Sequence, residues 1–341
     1  MIITKTPFRM SFFGGGTDLE DYFKKYPGAV LSTTFDKYCY VTVRHLPGFF
    51  EYKTHLTYSE MEYVNAYAQI RHPLIRNAME WMDMHELRLT YDADLPAKSG
   101  LGTSSSFAVG MLNAFYALKG KYADKKKLAD EAIYLERVMC GEAGGWQDQI
   151  AAAYGGLNRI NFTQDGYEVL PIIISPDRKK RLNENLLMFF TGFTRFSAEV
   201  QKINRMETKG RMASLQEMYR LVDEAERVLT QDTANLDEFG RLLNETWRLK
   251  RKTGSAVSTD SIDGLYARAM EAGALGGKLL GAGGGGFLIF YVQPGKQEAV
   301  MAAMRDLLYI PFTFENMGTQ VIHYTPEEYL PVKGTNKDMP E

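Results

Sequence analysis

The sequence predicts a two-domain α+β protein. Its 341 residues are more than one small domain needs and are sufficient for two. Strand-like segments and helical patterns both occur in each half of the chain. Hydrophobic residues make up 45% and charged residues 24% of the chain, which is typical of a globular protein with a well-filled core.

The composition argues against several classes of protein. A net charge of −2 favours neither a nucleic-acid partner nor a membrane surface. Cys39 and Cys140 are too few for a disulfide framework, and the five histidines do not show a zinc-ligand spacing. The chain contains no apolar run long enough to span a bilayer, and its first residues do not form a signal peptide. We therefore expect a cytoplasmic protein.

Apolar and β-branched runs predict the strands. Residues 1–4 and 8–13 are predicted as two short strands, because Pro7 would end the first one or place it at a sheet edge. Residues 29–43 are apolar, β-branched and aromatic and predict a hairpin. Further strands are predicted at 87–92, 185–190 and 287–292, and helices at 107–118, 128–139, 212–230, 235–252 and 261–273.

A triple glycine follows the strand predicted at residues 8–13. Gly14, Gly15 and Gly16 predict a tight, open turn that another molecule could approach closely. Arg9 and Asp18 flank this space. Taken alone, Arg9 is as compatible with an ordinary surface charge as with a functional role. Asp18 is likewise as compatible with an ordinary helix cap as with a functional role.

A loop of small residues follows the strand predicted at 87–92 and leads into a helix. Gly100 and Gly102 permit backbone angles that a side chain would forbid. The hydroxyl groups of residues 103–106 lie where free N–H groups and the positive end of the helix dipole converge. One hydroxyl would suffice for an ordinary cap, so four hydroxyls after two glycines favour a phosphate-binding loop.

Two carboxylates in the middle of the chain are candidates for chemistry. Glu136 borders the apolar stripe of the helix predicted at 128–139, where a carboxylate is usually solvated. Asp148 lies in the first turn of a helix that follows two glycines, and the helix dipole favours its charged form. It could orient a hydroxyl and accept its proton, or it could be an ordinary helix-start aspartate. The neighbouring Trp146 is unusual beside an ordinary helix-start residue.

A second glycine-rich segment spans residues 281–286. Gly281, Gly283 and Gly286 formally satisfy the dinucleotide-binding pattern G-x-G-x-x-G. That pattern requires a strand before the glycines, whereas here the strand predicted at 287–292 comes after them. A dinucleotide-dependent oxidoreductase is therefore disfavoured, and the absence of G-x-x-x-x-G-K-[ST] disfavours a P-loop protein.

Three motifs in fixed order resemble the superfamily of galactokinase, homoserine kinase, mevalonate kinase and phosphomevalonate kinase. They are residues 7–18 (PFRMSFFGGGTD), 96–105 (PAKSGLGTSS) and 278–286 (KLLGAGGGG). The resemblance implies a ribosomal-protein-S5-like, ATP-binding N-terminal domain, which we place at residues 1–180. It also implies a ferredoxin-like C-terminal domain, placed at residues 181–330, with ATP and substrate held between the two.

The resemblance also implies roles for individual residues. Asp148 matches the catalytic carboxylate, with Arg9 as its basic partner, and Ser104 and Glu136 match the ligands of Mg²⁺. The predicted ATP-binding residues are Ser99, Gly100, Leu101, Gly102, Thr103, Ser104, Ser105 and Ser106. The predicted sugar-binding residues are Asp18, Gly15, Gly16, Thr17, Trp146, Gln147, Gly284 and Arg195.

Within the superfamily, residues 144–149 (GGWQDQ) and 191–195 resemble kinases that phosphorylate the anomeric hydroxyl of heptose 7-phosphate or of L-fucose. Gly15 and Gly16 replace the Glu-His of galactokinases, which disfavours galactose and leaves room for a larger sugar. Lys98 replaces a residue that is usually small, either as a surface residue or as an extra phosphate contact.

The expected activity is transfer of the ATP γ-phosphoryl group, with Mg²⁺, to the C1 hydroxyl of D-glycero-D-manno-heptose 7-phosphate, giving the 1,7-bisphosphate. The alternatives are an L-fucokinase-like enzyme and a catalytically silent regulator that binds ATP or sugar. Arg195, Lys37 and Arg44 are candidates for binding the 7-phosphate. The oligomeric state stays open, with a homodimer as one alternative.

Overall fold

The computed structural model describes residues 1–97, 99–192, 211–254, 256–281 and 283–326. Within these ranges helices and strands occur in both halves of the chain. The strands are β1 (Ile2–Phe13), β2 (Gly28–His45), β3 (Thr54–Thr57), β4 (Met61–Val64), β5 (Leu87–Ala93), β6 (Asn158–Thr163), β7 (Gly166–Pro171), β8 (Leu186–Phe190), β9 (Gly276–Leu279), β10 (Phe287–Tyr291), β11 (Leu308–Tyr309), β12 (Phe314–Glu315) and β13 (Gln320–Tyr324). The helices are α1 (Glu20–Phe23), α2 (Pro73–Trp81), α3 (Thr103–Leu118), α4 (Lys125–Tyr134), α5 (Gln147–Tyr154), α6 (Pro176–Glu184), α7 (Arg211–Thr230), α8 (Asp237–Arg251), α9 (Asp260–Glu271) and α10 (Gln297–Ala303).

The described strands form two sheets. The first has the order β13–β1–β2–β5–β3–β4, with β6 and β12 paired to other parts of β2 and β7 paired to β6. The second has the order β11–β8–β10–β9. Strands β3 and β5 pair in parallel, and the other pairs are antiparallel. The α+β prediction is confirmed.

Two predictions about the first strands are wrong. Residues 2–13 form one strand rather than two, because β13 pairs with β1 only as far as Lys5 and the missing N–H of Pro7 interrupts no bond on that side. Residues 28–45 form one long strand rather than a hairpin. Asp36 and Lys37 form a bulge at its middle, where the register with β1 shifts between Pro7 and Phe8.

Helix α3 is the central element of the first half. Most of its residues are buried, as expected for a helix that is apolar on nearly all sides. It crosses β1 at Gly110, where a Cβ would lie 2.7 Å from Oγ1 of Thr6. The Thr4 hydroxyl donates to the Gly110 carbonyl over 2.9 Å. This close crossing fixes the first turn of α3 relative to β1, and the candidate site lies at that end.

An apolar layer joins the two sheets. The rings of Phe12 and Phe13 contact Phe239 of α8 edge-on, at centroid distances of 5.3 and 5.1 Å. The pairing of β12 and β13 with the first sheet brings the end of the described chain back to the N-terminal half. The domain division near residue 180 stays a prediction, and we propose that residues 314–324 belong with the first unit. None of the helices in the described ranges is long and apolar enough to cross a membrane.

Candidate active site

Arg9 of β1 and Asp148 of α5 form a two-pronged ion pair. Nε and Nη2 of Arg9 donate to Oδ1 and Oδ2 of Asp148, each over 2.7 Å. The Arg9 side chain is 5% exposed, and that of Asp148 is 23% exposed. A buried guanidinium in this geometry fixes the orientation of the carboxylate, while the exposed edge of Asp148 stays accessible to a ligand. The contact between Arg9 and Asp148 that the sequence analysis expected is therefore present in the structure.

The loop before α3 lies directly against this pair. Nη1 of Arg9 donates to the Gly100 carbonyl over 2.7 Å, and its backbone N–H donates to the Leu101 carbonyl over 3.2 Å. Gly100 and Gly102 have φ values of +83° and +73°, in the left-handed region that favours glycine. The loop therefore brings the start of α3, with its free N–H groups, close to Asp148.

The hydroxyl groups at the start of α3 have different partners. The Ser106 hydroxyl donates to the Pro7 carbonyl over 2.9 Å, which ties the helix to β1. Oγ of Ser99 is buried and has no hydrogen-bond partner in the described structure. Ser104 is exposed, whereas Thr103 and Ser105 are buried. Their roles in binding ATP remain predictions.

Glu136 is 1% exposed, so the solvated alternative is wrong. The hydroxyls of Ser104 and Ser105 donate to its Oε1 and Oε2, each over 2.7 Å, and the side-chain amide of Gln149 donates to Oε2. It lies in a π-helical turn, Leu135–Met139, that continues α4. These three partners are neutral, so a buried carboxylate here would be stabilised by a bound cation.

This donor set fits Mg²⁺. A carboxylate and a hydroxyl supply the oxygen ligands that this ion prefers, and it usually takes only one or two protein carboxylates together with substrate phosphates. Among the described residues no group of three or more His, Cys, Asp or Glu side chains could hold a metal. Ser104 and Glu136 can therefore support a Mg²⁺ site in which the phosphates of a nucleotide supply further oxygen ligands.

Asp18 faces the same space from the end of the glycine turn. Its Oδ1 accepts from the Gly16 N–H over 2.9 Å, and its Oδ2 lies 3.4 Å from the Gln147 N–H. A Cβ on Gly145 would lie 1.8 Å from Oδ2, so this close approach requires glycine there. Burial raises the pKa of Asp18, and the charge of Asp148 raises it further.

One cavity joins the glycine turn, Asp18 and the Arg9–Asp148 pair, whereas Ser104 and Glu136 are not among its lining residues. Its lining includes Gly15, Gly16, Gln147 and the Arg9–Asp148 pair. Ser11 and Gln147 also line the cavity, and Oγ of Ser11 and Oε1 of Gln147 are buried without a hydrogen-bond partner in the described ranges. The charged side chains of the lining are Arg9, Arg137, Arg211, Lys250, Lys278, Asp18 and Asp148.

Lys250 and Lys278 are functional candidates that the sequence analysis missed. Nζ of Lys278 donates to the carbonyls of Ser11 and Phe12 over 2.7 and 2.9 Å. Burial lowers the pKa of Lys278 well below its usual range, and the charges of Lys250 and Arg9 lower it further. Lys278 is the first residue of the motif 278–286 described above. That motif was the sequence signal from which Lys278 could have been found.

Other predicted sugar-binding residues lie outside the cavity lining. The Trp146 ring packs on Phe23 at a centroid distance of 4.7 Å, and the backbone N–H of Trp146 donates to the Asp18 carbonyl. The Thr17 hydroxyl lies 2.8 Å from the Gly14 and Ala29 carbonyls and supports the turn. The Gly284 N–H donates to Val257. Their contact with a sugar stays a prediction.

Of the candidates for binding the 7-phosphate, Lys37 and Arg44 are not among the residues that line the cavity. The Lys37 ammonium contacts Asp36. Arg44 lies opposite Arg88 where β2 and β5 pair, in the part of β2 remote from the glycine turn. Arg195 and Lys98 lie outside the described residues. Besides Arg9 of β1, the cationic residues of the cavity lining come from the segment after α4 and from α7, α8 and β9.

Comparison with known proteins identifies the family. Residues 63–156 match the GHMP kinases N terminal domain, and residues 206–310 match GHMP kinases C terminal. The chain belongs to the GHMP kinases. It is accordingly a phosphotransferase that uses ATP and an alcohol group as acceptor.

The proteins to which the chain is similar include kinases of heptose phosphates and a fucokinase. The chain is 31% identical over 324 residues to D-glycero-alpha-D-manno-heptose 7-phosphate kinase of Campylobacter jejuni, covering 89% of this chain and 93% of that protein. It is 30% identical to the bifunctional fucokinase/GDP-fucose pyrophosphorylase of Arabidopsis thaliana, over 61% of this chain and 20% of that protein. A D-glycero-D-manno-heptose 1-phosphate kinase from Bacteroides thetaiotaomicron superposes with a TM-score of 0.76 at 25% identity, covering 94% and 98% of the two chains.

The contacts of Glu136 give a direct prediction. Glu136→Gln keeps the size of the side chain but removes its charge and replaces one of its two accepting oxygens with a donating NH₂ group. We expect the Mg²⁺ concentration for half-maximal activity to rise more than about tenfold, because a lost carboxylate ligand weakens metal binding at least as much as a lost outer-shell partner. Titration of activity with Mg²⁺ at fixed ATP measures this. Exposed Glu298→Gln is the matched control, and an unchanged titration for Glu136→Gln would remove Glu136 from the metal site.

Proposed function

We propose that this kinase transfers the ATP γ-phosphoryl group to the anomeric C1 hydroxyl of D-glycero-D-manno-heptose 7-phosphate, giving the 1,7-bisphosphate. The observation that carries the proposal is the Arg9–Asp148 pair, held against the Gly100 carbonyl in a cavity with more cations than acids. The kinase relative named for this sugar phosphate, aligned over most of both chains, supports the choice of acceptor.

The Arg9–Asp148 pair supplies the groups that the reaction needs at the acceptor. Asp148 orients the C1 hydroxyl and accepts its proton as the new O–P bond forms. Arg9 holds the carboxylate in place through two hydrogen bonds and offsets the negative charge that develops on the phosphoryl oxygens. Phosphoryl transfer depends mostly on such positioning and charge stabilisation.

The start of α3 and Glu136 supply the donor side. Free N–H groups of the loop at residues 100–106 and the helix dipole favour the phosphates of ATP. Ser104 and Glu136 would hold Mg²⁺ there. When bound, this ion neutralises charge on the β- and γ-phosphates.

The cavity lining favours an anionic sugar. It contains five cationic side chains, Arg9, Arg137, Arg211, Lys250 and Lys278, and two acidic ones, Asp18 and Asp148. Asp18 and Gln147 offer oxygen atoms to sugar hydroxyls, and the absence of side chains at Gly15 and Gly16 leaves room for a heptose. A bound phosphate would also stabilise the charged forms of the buried lysines.

The L-fucokinase-like alternative has one argument in its favour, the similarity to the fucokinase part of the Arabidopsis protein. The excess of cations favours a phosphorylated acceptor over fucose. A silent regulator could lose Asp148, Glu136 or Ser104, but all three are present in this chain.

Release of ADP from Mg-ATP tests the proposal. The acceptors are D-manno-heptose 7-phosphate, the dephosphorylated heptose, L-fucose, galactose and mevalonate. We expect turnover with the 7-phosphate and a far lower kcat/KM with the dephosphorylated heptose. Turnover with fucose in place of the 7-phosphate would keep the mechanism and overturn the acceptor, and the absence of turnover with every sugar would overturn the proposal.

A further inference from the structure

Lys250 lies in the last turn of α8, and its side chain is buried. Its ammonium donates to the carbonyl of Leu279 over 3.4 Å and to that of Gly281. An ammonium carries three N–H groups. These carbonyls take two of them, and since Lys250 also lines the cavity, one N–H remains for a bound ligand.

The carbonyl that Lys250 binds belongs to a residue in contact with the phosphate-binding loop. A Cβ on Gly281 would lie only 2.3 Å from Cα of Gly100. Gly100 in turn accepts the Nη1–H of Arg9, whose other nitrogens hold Asp148. Lys250 therefore reaches the contact between the two glycine loops from the C-terminal half, whereas Arg9 reaches it from the N-terminal half.

The charge of Arg9 is balanced by Asp148, whereas the carbonyls that Lys250 binds are neutral. The repulsion of Arg9 adds to burial and lowers the pKa of Lys250 to about 8. A neutral donor would serve the Gly281 carbonyl without that cost. A lysine at this position is explained if an anionic group binds beside its ammonium during the reaction.

We propose that the Lys250 ammonium contacts the phosphoryl group in transit and acts as a second catalytic cation opposite Arg9. The terminal P–O bond of ATP breaks, ADP leaves with the bonding electron pair, and the acceptor oxygen forms the new O–P bond as its proton passes to Asp148. Lys250 stays protonated and neutralises charge on the oxygens of the transferred group. This rests on phosphoryl transfer taking place in this cavity but not on the identity of the acceptor.

Replacement of Lys250 tests the assignment. In Lys250→Met we expect kcat to fall about 10²- to 10³-fold, the usual effect of losing one group that stabilises transition-state charge, with the acceptor KM changed only a few-fold. Lys250→Arg should recover at least a tenth of the lost rate because it restores a cation. Lys252→Met, an exposed residue at the same helix end, is the control and should retain wild-type kcat.

Steady-state kinetics use whichever acceptor the wild-type chain phosphorylates, so a wrong acceptor in the proposed function does not count against Lys250. The melting temperature of each variant separates lost folding from lost chemistry. A normal kcat with a raised KM confined to a phosphorylated acceptor would overturn the proposal and assign Lys250 to the acceptor phosphate. Equal losses of stability and activity in Lys250→Met and Lys250→Arg would also overturn it and leave a structural role.

The pH profile gives a second readout. The charged groups that face Lys250 are Arg9, Asp18 and Lys278. Because the ammonium form is required, kcat/KM should decline as the pH rises through about 8, the pKa of Lys250 in the free enzyme. In Lys250→Arg this decline should move to higher pH. A decline that stays in place would point to Lys278 and contradict the proposal.

Discussion

Asp148→Asn is expected to lower kcat by at least about 10³-fold while Mg-ATP still binds. The amide has the size of the carboxylate but cannot take the acceptor proton, and general-base catalysis contributes about 10²- to 10⁴-fold. Its NH₂ group would also face a donor of Arg9, because both carboxylate oxygens accept from that side chain. One of the two hydrogen bonds that orient residue 148 would therefore be lost as well.

Initial rates and calorimetric binding of Mg-ATP measure the two effects of Asp148→Asn separately. Asp165→Asn, at an exposed turn between β6 and β7, is the matched control and should keep wild-type rates. A kcat near the wild-type value for Asp148→Asn would remove this carboxylate from the chemistry. Loss of ATP binding together with kcat would show that the substitution acts on the loop before α3 instead.

Gly281→Ala has the second large expected effect. Gly281 has a φ of +81°, and an added Cβ would lie 2.3 Å from Cα and 2.8 Å from the carbonyl oxygen of Gly100. Both are backbone atoms, so one of the glycine loops must move. Because Gly100 binds Arg9 and begins the phosphate loop, we expect kcat/KM for ATP to fall more than about 10²-fold, as misplacement by 1 Å can cost.

The same substitution should lower the free energy of unfolding by about 1–3 kcal/mol, the range for a residue forced into a disfavoured backbone conformation. Urea denaturation measures this. Gly264→Ala is the control: it lies within α9 with nothing within 4 Å of its Cβ position, and alanine there should stabilise by up to about 1 kcal/mol. Wild-type kcat/KM for ATP in Gly281→Ala would show that the contact between the loops does not position the phosphates.

Local signals predicted the parts of the site that lie next to one another along the chain. The glycines before α3 and the hydroxyls of its first turn are consecutive, and each carries its own physical meaning. The two glycines at residues 144 and 145 likewise predicted that a helix begins after them, with Asp148 in its first turn. Bringing Arg9, Glu136 and Asp148 together required the resemblance to a family, because no local pattern specifies contacts between distant residues.

The sequence could not show the burial of the two lysines. Lys250 lies in a run of basic residues at the end of α8 (Arg248–Lys252), where cations are normally solvated and favoured by the helix dipole. Only the packing of α8 against the second sheet places its ammonium on the Gly281 carbonyl. The hairpin predicted at residues 29–43 was wrong for a related reason, since the polar break at Asp36 and Lys37 is a bulge within one strand.

The ³¹P NMR spectrum of the product formed from Mg-ATP and D-manno-heptose 7-phosphate tests the central claim most directly. Transfer to C1 predicts two sugar-bound phosphorus signals: the original one on C7, and a new one split by coupling to the anomeric proton. A new signal coupled to a non-anomeric proton, or no second signal while ADP accumulates, would contradict transfer to the C1 hydroxyl at the Arg9–Asp148 pair.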